Sequence, residues 1–256
     1  MRHQKIKALF MSACLWVSLT VISSPGFATT PDNSTTNPFL QTALFGQTTP
    51  HQQLLNKMLR AAPSANPKVV AMALSALDCA LNSGMSPARN LTLIDYSLVS
   101  TKPRLWVFDL VSGKLLFHEL VAHGMKTGKA FARNFSNTYG SHQTSLGLFR
   151  TKETYMGANG YSLRMEGLES GFNDKAMERA IVFHGADYVD LKLAKKLGYL
   201  GRSHGCPAVS RGVAQKVIDT IKGEQFLFSY YPDKQWLNAS KFLNCPHQRL
   251  AQNSLQ

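Results

Sequence analysis

The chain has 256 residues, of which 44% are hydrophobic and 17% charged, a balance that fits a globular protein. Its formal charge of +13 points to an anionic partner, although no dense Lys/Arg cluster appears and solubility alone would account for the charge equally well. The one long apolar run lies at the start, so no transmembrane helix is expected in the mature chain.

Arg2, Lys5 and Lys7 precede that run, Ala8 to Ile22, which is short for a bilayer span, and Gly26-Phe27-Ala28 supplies the small residues of a cleavage site. Residues 1–28 therefore read as a secretory signal peptide. An uncleaved anchor is the weaker alternative, and Cys14 is badly placed for a lipid anchor because Leu15 to Ile22 follow it. Export to the periplasm or cell envelope argues against nucleic acid as the anionic partner and favours a carboxylate-rich wall. Loss of the three leading basic residues still leaves +10.

Residues 29–50, rich in Thr, Asn, Pro and Gln, read as a flexible linker. A helical segment over 51–99 follows. His51 to Ala61 forms one helix and Pro67 to Asn82 a second, with Val69, Val70, Ala73, Leu74, Leu77 and Leu81 at helical spacing and Gly84 as the stop. From residue 100 the pattern changes to strands. Leu105 to Leu110, the turn Ser112-Gly113, and Lys114 to His123 predict a β-hairpin. Residues 124–173 are glycine-rich and irregular, with short strands expected near Leu146 to Arg150 and Ser162 to Leu168. Ala180 to Phe183 is a short buried-strand pattern that delivers His184-Gly185 at its end. Asp190 to Leu197 and Arg211 to Lys222 are expected helices, and Phe226 to Tyr230 is a last strand. The catalytic unit is placed at 100–232 and a C-terminal tail at 233–256.

Ser203-His204-Gly205-Cys206 carries the chemistry. A thiol needs its proton removed before it attacks, histidine is the usual base, and a glycine beside the nucleophile lets backbone N–H groups approach a developing oxyanion. Pro207 has no N–H, so oxyanion donors must come from Gly205, Cys206 or elsewhere. Spacing leaves two candidate bases open: His204, two residues before the cysteine, and His184, at the end of a strand. A zinc site built on His184, His204 and Cys206 is disfavoured, because the possible fourth ligands Asp187 and His142 have no characteristic spacing. No metal or organic cofactor is expected.

Ser203-His204-Gly205-Cys206, preceded by His184-Gly185, resembles the signature of the L,D-transpeptidase catalytic domain of the YkuD type. Ser145-Leu146-Gly147-Leu148-Phe149 resembles that family's Thr-Pro-x-Gly-x-Phe strand, and Leu105 to Gly113 its opening hairpin. The resemblance implies Cys206 as nucleophile, His184 as base held by a backbone carbonyl, and Ser203, His204, Gly205 and Gly185 around the oxyanion and substrate. It implies a mainly β fold, an L,D-transpeptidase-type β-sandwich with N-terminal helices and a helix after the catalytic cysteine. It also implies peptidoglycan stem peptides as the substrate. Ala208 stands where usual members carry arginine, Pro207 and Val209 also depart, and the gap from His184 to Ser203 is long; these features resemble the divergent murein branch. Arg202 and Arg164 are the candidate replacements for the missing substrate-binding arginine. An L,D-carboxypeptidase, a D-amino acid exchange enzyme and an inactive wall-binding module are the alternatives, and a monomer is expected.

Once Cys14 leaves with the signal peptide, Cys79, Cys206 and Cys245 remain. A nucleophile must stay a thiol, so a Cys79–Cys245 disulfide is expected, pinning the tail to the helical segment.

Overall fold

The computed structural model describes residues 49–245, so the expected signal peptide, most of the linker and the end of the tail lie outside the described residues. Helices α1 (Pro50–Ala61) and α2 (Pro67–Asn82) each begin with proline, where the missing N–H costs nothing, behind a capping side chain. Thr49 accepts from the Gln52 amide at 3.2 Å and Asn66 from the Lys68 amide at 3.0 Å. Leu55 and Met58 of α1, with Val70, Leu74 and Leu77 of α2, turn inward. No helix among the described residues is long and apolar enough to cross a membrane.

Eight strands follow: β1 (Asn90–Asp95), β2 (Leu105–Asp109), β3 (Leu115–Glu119), β4 (Gly147–Gly157), β5 (Gly160–Gly167), β6 (Val182–Ala186), β7 (Ala208–Ser210) and β8 (Phe226–Tyr230). They form one sheet in the order β3-β2-β1-β8-β4-β5-β6-β7. Alternation along each strand gives the sheet two apolar faces. Leu91, Leu93, Trp106, Phe108, Leu148, Phe226 and Phe228 pack against α1 and α2. Their neighbours Ile94, Leu105, Val107, Phe149 and Leu227 join Leu163 and Phe183 in a second core. Helix α4 (Arg211–Ile221) leaves β7 directly and seats Ala214, Val217, Ile218 and Ile221 in that second core. Each large side chain so buried stabilises the fold by about 1.5–3 kcal/mol.

Two sequence expectations need correction. The segment 51–99 is not helical throughout, because its end is β1, a fully buried strand between β2 and β8. The irregular stretch 124–173 contains a long β4–β5 hairpin turned at Gly157 and Gly160. The tail, expected to be held by the disulfide, is also packed by α5 (Lys234–Ala239), which buries Trp236, whose indole N–H donates to Glu169 at 3.0 Å, and Phe242 is buried beyond it. Helix α3 (Leu191–Leu197) is capped by Asp190 and fills the long gap between His184 and Ser203. Cys79 and Cys245 are joined by a disulfide, with Cα atoms 5.9 Å apart, and Cys206 is free.

Candidate active site

The pairing of β6 with β7 brings the two halves of the motif together. His184 lies opposite Ala208 in a parallel register, and its amide donates to the Pro207 carbonyl at 3.4 Å. A segment running from Val121 to Met125 flanks the other side of the cysteine turn. The Ala122 amide donates to Ala208 at 2.8 Å, Ser203 to the His123 carbonyl at 3.0 Å, and Met125 to the Ser203 carbonyl at 2.8 Å.

Cys206 is only 9% exposed. Its sulfur receives the Val182 N–H at 3.4 Å and its thiol donates to the Ala180 carbonyl at 3.7 Å. Burial pushes the thiol pKa up, while the Val182 N–H and the Arg179 charge pull it down. His184 is 3% exposed, and its Nδ1 lies 3.1 Å from the Gly185 carbonyl. A carbonyl only accepts, so Nδ1 carries the hydrogen and Nε2 presents a lone pair. Burial holds the imidazole pKa below its ordinary value; the Gly185 carbonyl opposes that shift and Arg211 adds to it. No hydrogen bond joins His184 to Cys206 among the described residues. The sulfur sits at Val182, two residues earlier on β6, or about 7 Å of strand.

The turn is fixed from within. Ser203 accepts the Gly205 N–H at 3.0 Å and donates to the Cys206 carbonyl at 2.7 Å, which consumes its buried hydroxyl. Thr144 donates to the Gly205 carbonyl at 3.2 Å and accepts from Gly124 at 3.0 Å. Gly205 has φ +129°, and a Cβ there would meet the Gln143 carbonyl at 2.8 Å and Ile181 at 2.9 Å. Gly185 is needed for close approach, since its Cβ would meet that of Ala214 at 2.7 Å. The Cys206 N–H has no partner in another residue among the described residues. His204 is exposed and stacks on His142, ring centres 4.3 Å apart.

A family model described as the L,D-transpeptidase catalytic domain matches residues 61–230. The chain belongs to that family. No curated protein matches the sequence. Among solved structures, an L,D-transpeptidase from Mycobacterium smegmatis is 14% identical, with 56% of this chain and 59% of that one covered and a TM-score of 0.35. One from Stackebrandtia nassauensis is 11% identical over 73% of this chain and 93% of that one, with a TM-score of 0.34. One from Xylanimonas cellulosilytica is 14% identical over 70% and 93%, with a TM-score of 0.33. This chain spans somewhat over half the length of the mycobacterial enzyme.

The two arginines nominated to serve this L,D-transpeptidase domain are engaged elsewhere. Arg202 donates to the Met125 and Gly128 carbonyls, both at 3.0 Å. Arg164 pairs with Glu153 at 2.9 Å and lies over the Tyr155 ring. An arginine whose charge acts on Cys206 is Arg179, bound to the loop beside the cysteine turn, and the sequence reading missed it. It precedes Ala180 in a turn, with no motif around it. Among the described residues, no group of three or more His, Cys, Asp or Glu side chains is placed to hold a metal ion.

Proposed function

We propose that the protein is an exported cysteine acyltransferase that cross-links peptidoglycan stem peptides. The observation that carries the reading is the contact of His184 Nδ1 with the Gly185 carbonyl: a carbonyl can only accept, so Nε2 is the nitrogen left to take a proton. It stands on the strand paired with the one that follows Cys206. The donor, a tetrapeptide stem with meso-diaminopimelate before its terminal D-alanine, is what family membership implies.

His184 takes the Cys206 proton after the thiol turns from the Ala180 carbonyl. The sulfur attacks the diaminopimelate carbonyl, and the Cys206 N–H is the available donor to the resulting oxyanion, because Gly205 gives its N–H to Ser203 and Pro207 has none. Collapse breaks the peptide bond to D-alanine, whose nitrogen takes the proton from His184, and leaves a thioester. The side-chain amine of a second stem then attacks the thioester, His184 removes its proton, and the thiolate departs as the new amide forms. His204, exposed at the mouth and stacked on His142, suits a substrate contact better than a base.

The test is to incubate the mature protein with purified tetrapeptide muropeptides and identify the products by mass spectrometry. Cross-linked dimers with release of D-alanine are expected, and both should vanish in Cys206→Ser and His184→Ala, because nucleophile and base act as one unit. Tripeptide without dimer would assign water as the acceptor, and incorporation of an added D-amino acid would assign exchange. Muropeptide binding with no turnover would make the chain a wall-binding module and overturn the proposal.

A further inference from the structure

The proposed chemistry needs a thiolate in a buried place, and burial alone opposes one. The groups around the sulfur come from several elements. The turn before β6 gives the Ala180 carbonyl and the first residue of β6 the Val182 N–H. Tyr96, after β1, and Tyr188, after β6, both feel the cysteine charge. His184 follows on β6, with Arg211 acting on it, and Arg104 lies over the Tyr96 ring. A further cation acting on the sulfur is Arg179.

Arg179 is held in a polar cage. Its Nη1 donates to the Ser136 carbonyl at 2.7 Å and to the Ser145 hydroxyl, and its Nη2 to the Ser141 hydroxyl at 3.1 Å and the Gln143 carbonyl at 2.7 Å. All four acceptors are neutral, so the guanidinium keeps its whole positive charge. The Gln143 carbonyl is also the atom that crowds Gly205, at 2.8 Å from where a Cβ would stand. One carbonyl therefore separates the guanidinium from the cysteine turn. The next residue, Ala180, has φ +53°, a left-handed conformation that costs a non-glycine residue about 1 kcal/mol, and in it Ala180 points its carbonyl at the thiol.

We propose that Arg179 is a positioning residue that stabilises the Cys206 thiolate with an uncompensated charge while clamping the 136–145 loop against Gly205. It rests on the reading of Cys206 as nucleophile. The 136–145 loop and the 177–180 turn thereby become parts of the site, although neither contributes a reacting atom.

The experiment is the pH dependence of Cys206 alkylation by iodoacetamide in the unreduced mature protein, where Cys206 is the free thiol. It reads the thiol directly, so a failure of stem-peptide turnover leaves it interpretable. Arg179→Gln is expected to move the inflection to higher pH by about one unit, a tenfold loss of thiolate at neutral pH, and Arg179→Lys to retain most of the original position. A uniform slowing of Arg179→Gln at every pH, with an unmoved inflection, would make the residue a clamp only and overturn the proposal. Should Arg179→Gln fail to fold, Ser141→Ala and Ser145→Ala carry the test. They loosen the clamp but keep the charge, so the inflection should stay in place, and a shift of a full unit would refute the charge role.

Discussion

Lowering the pH from 7 to 5 should weaken the fold through the buried His123. Its ring is 0% exposed and neutral. Nδ1 accepts from Arg104 at 2.7 Å, and Nε2–H donates to the Gly128 carbonyl at 3.2 Å. Burial and the Arg104 charge push its pKa from 6.5 to about 3. The unfolded chain therefore binds a proton between those values and the folded chain does not. Stability is full above pH 6.5 and falls as the pH drops toward 3. At pH 5 the unfolded histidine lies about 1.5 units below its pKa, which corresponds to a loss of about 2 kcal/mol at 1.36 kcal/mol per unit. The assay is urea unfolding at pH 7 and pH 5 for the protein and for His123→Gln. Asp95 and Glu169, both held above the usual carboxylate range by burial, act in the opposite sense and the buried His184 in the same sense, but all three do so in both proteins, so the comparison between the two isolates His123. The parent should lose about 2 kcal/mol more than the variant between the two pH values. Equal losses would refute the claim that His123 is buried neutral. The His123 carbonyl receives the Ser203 N–H, so this acid-sensitive contact lies one hydrogen bond from the cysteine turn.

Removing the Cys79–Cys245 disulfide, which closes a sequence separation of 166 residues, should cost up to about 5 kcal/mol in the chain-entropy model. Thermal unfolding of the Cys79→Ser/Cys245→Ser double variant reads the loss, and an unchanged midpoint would contradict it. Gly205→Ala should cost about 1–3 kcal/mol and most of the turnover, because its left-handed φ and the Gln143 carbonyl leave no room for a methyl group. Melting and muropeptide assays check both effects, and normal turnover in a stably folded variant would count against the described turn.

The parts of the fold that obey local rules were legible in the sequence. Helix α2 follows from apolar spacing and its first-turn Pro67, α1 was read from His51 although it begins at Pro50, and β8 spans the expected Phe226 to Tyr230. Strand β1 was not legible, because it is buried on both faces and pairs in parallel with β8, a partner some 135 residues away. The β4–β5 hairpin was only half visible. Its outer parts carry Lys152, Glu153 and Thr154, and the register shifts between Thr151 and Thr154, so the apolar alternation breaks there. At the candidate site, the motif at 203–206 and His184-Gly185 could be read from residue types and family likeness. The partners of Arg179 could not. Ser136, Ser141 and Gln143 look like ordinary loop residues, and Ser145 only like the start of a strand, until folding brings that loop against Gly205. Arg202 and Arg164 were nominated for their charge, yet their contacts with loop carbonyls and with Glu153 depend on tertiary placement.

The central claim is that Cys206 carries the acyl group, and the most direct measurement is the intact mass of the protein after brief exposure to a tetrapeptide stem without an acceptor. A mass increase equal to the stem peptide less D-alanine is expected, located by peptide mapping on Cys206 and absent from Cys206→Ser. An adduct on another residue, or turnover that persists in Cys206→Ser, would contradict it.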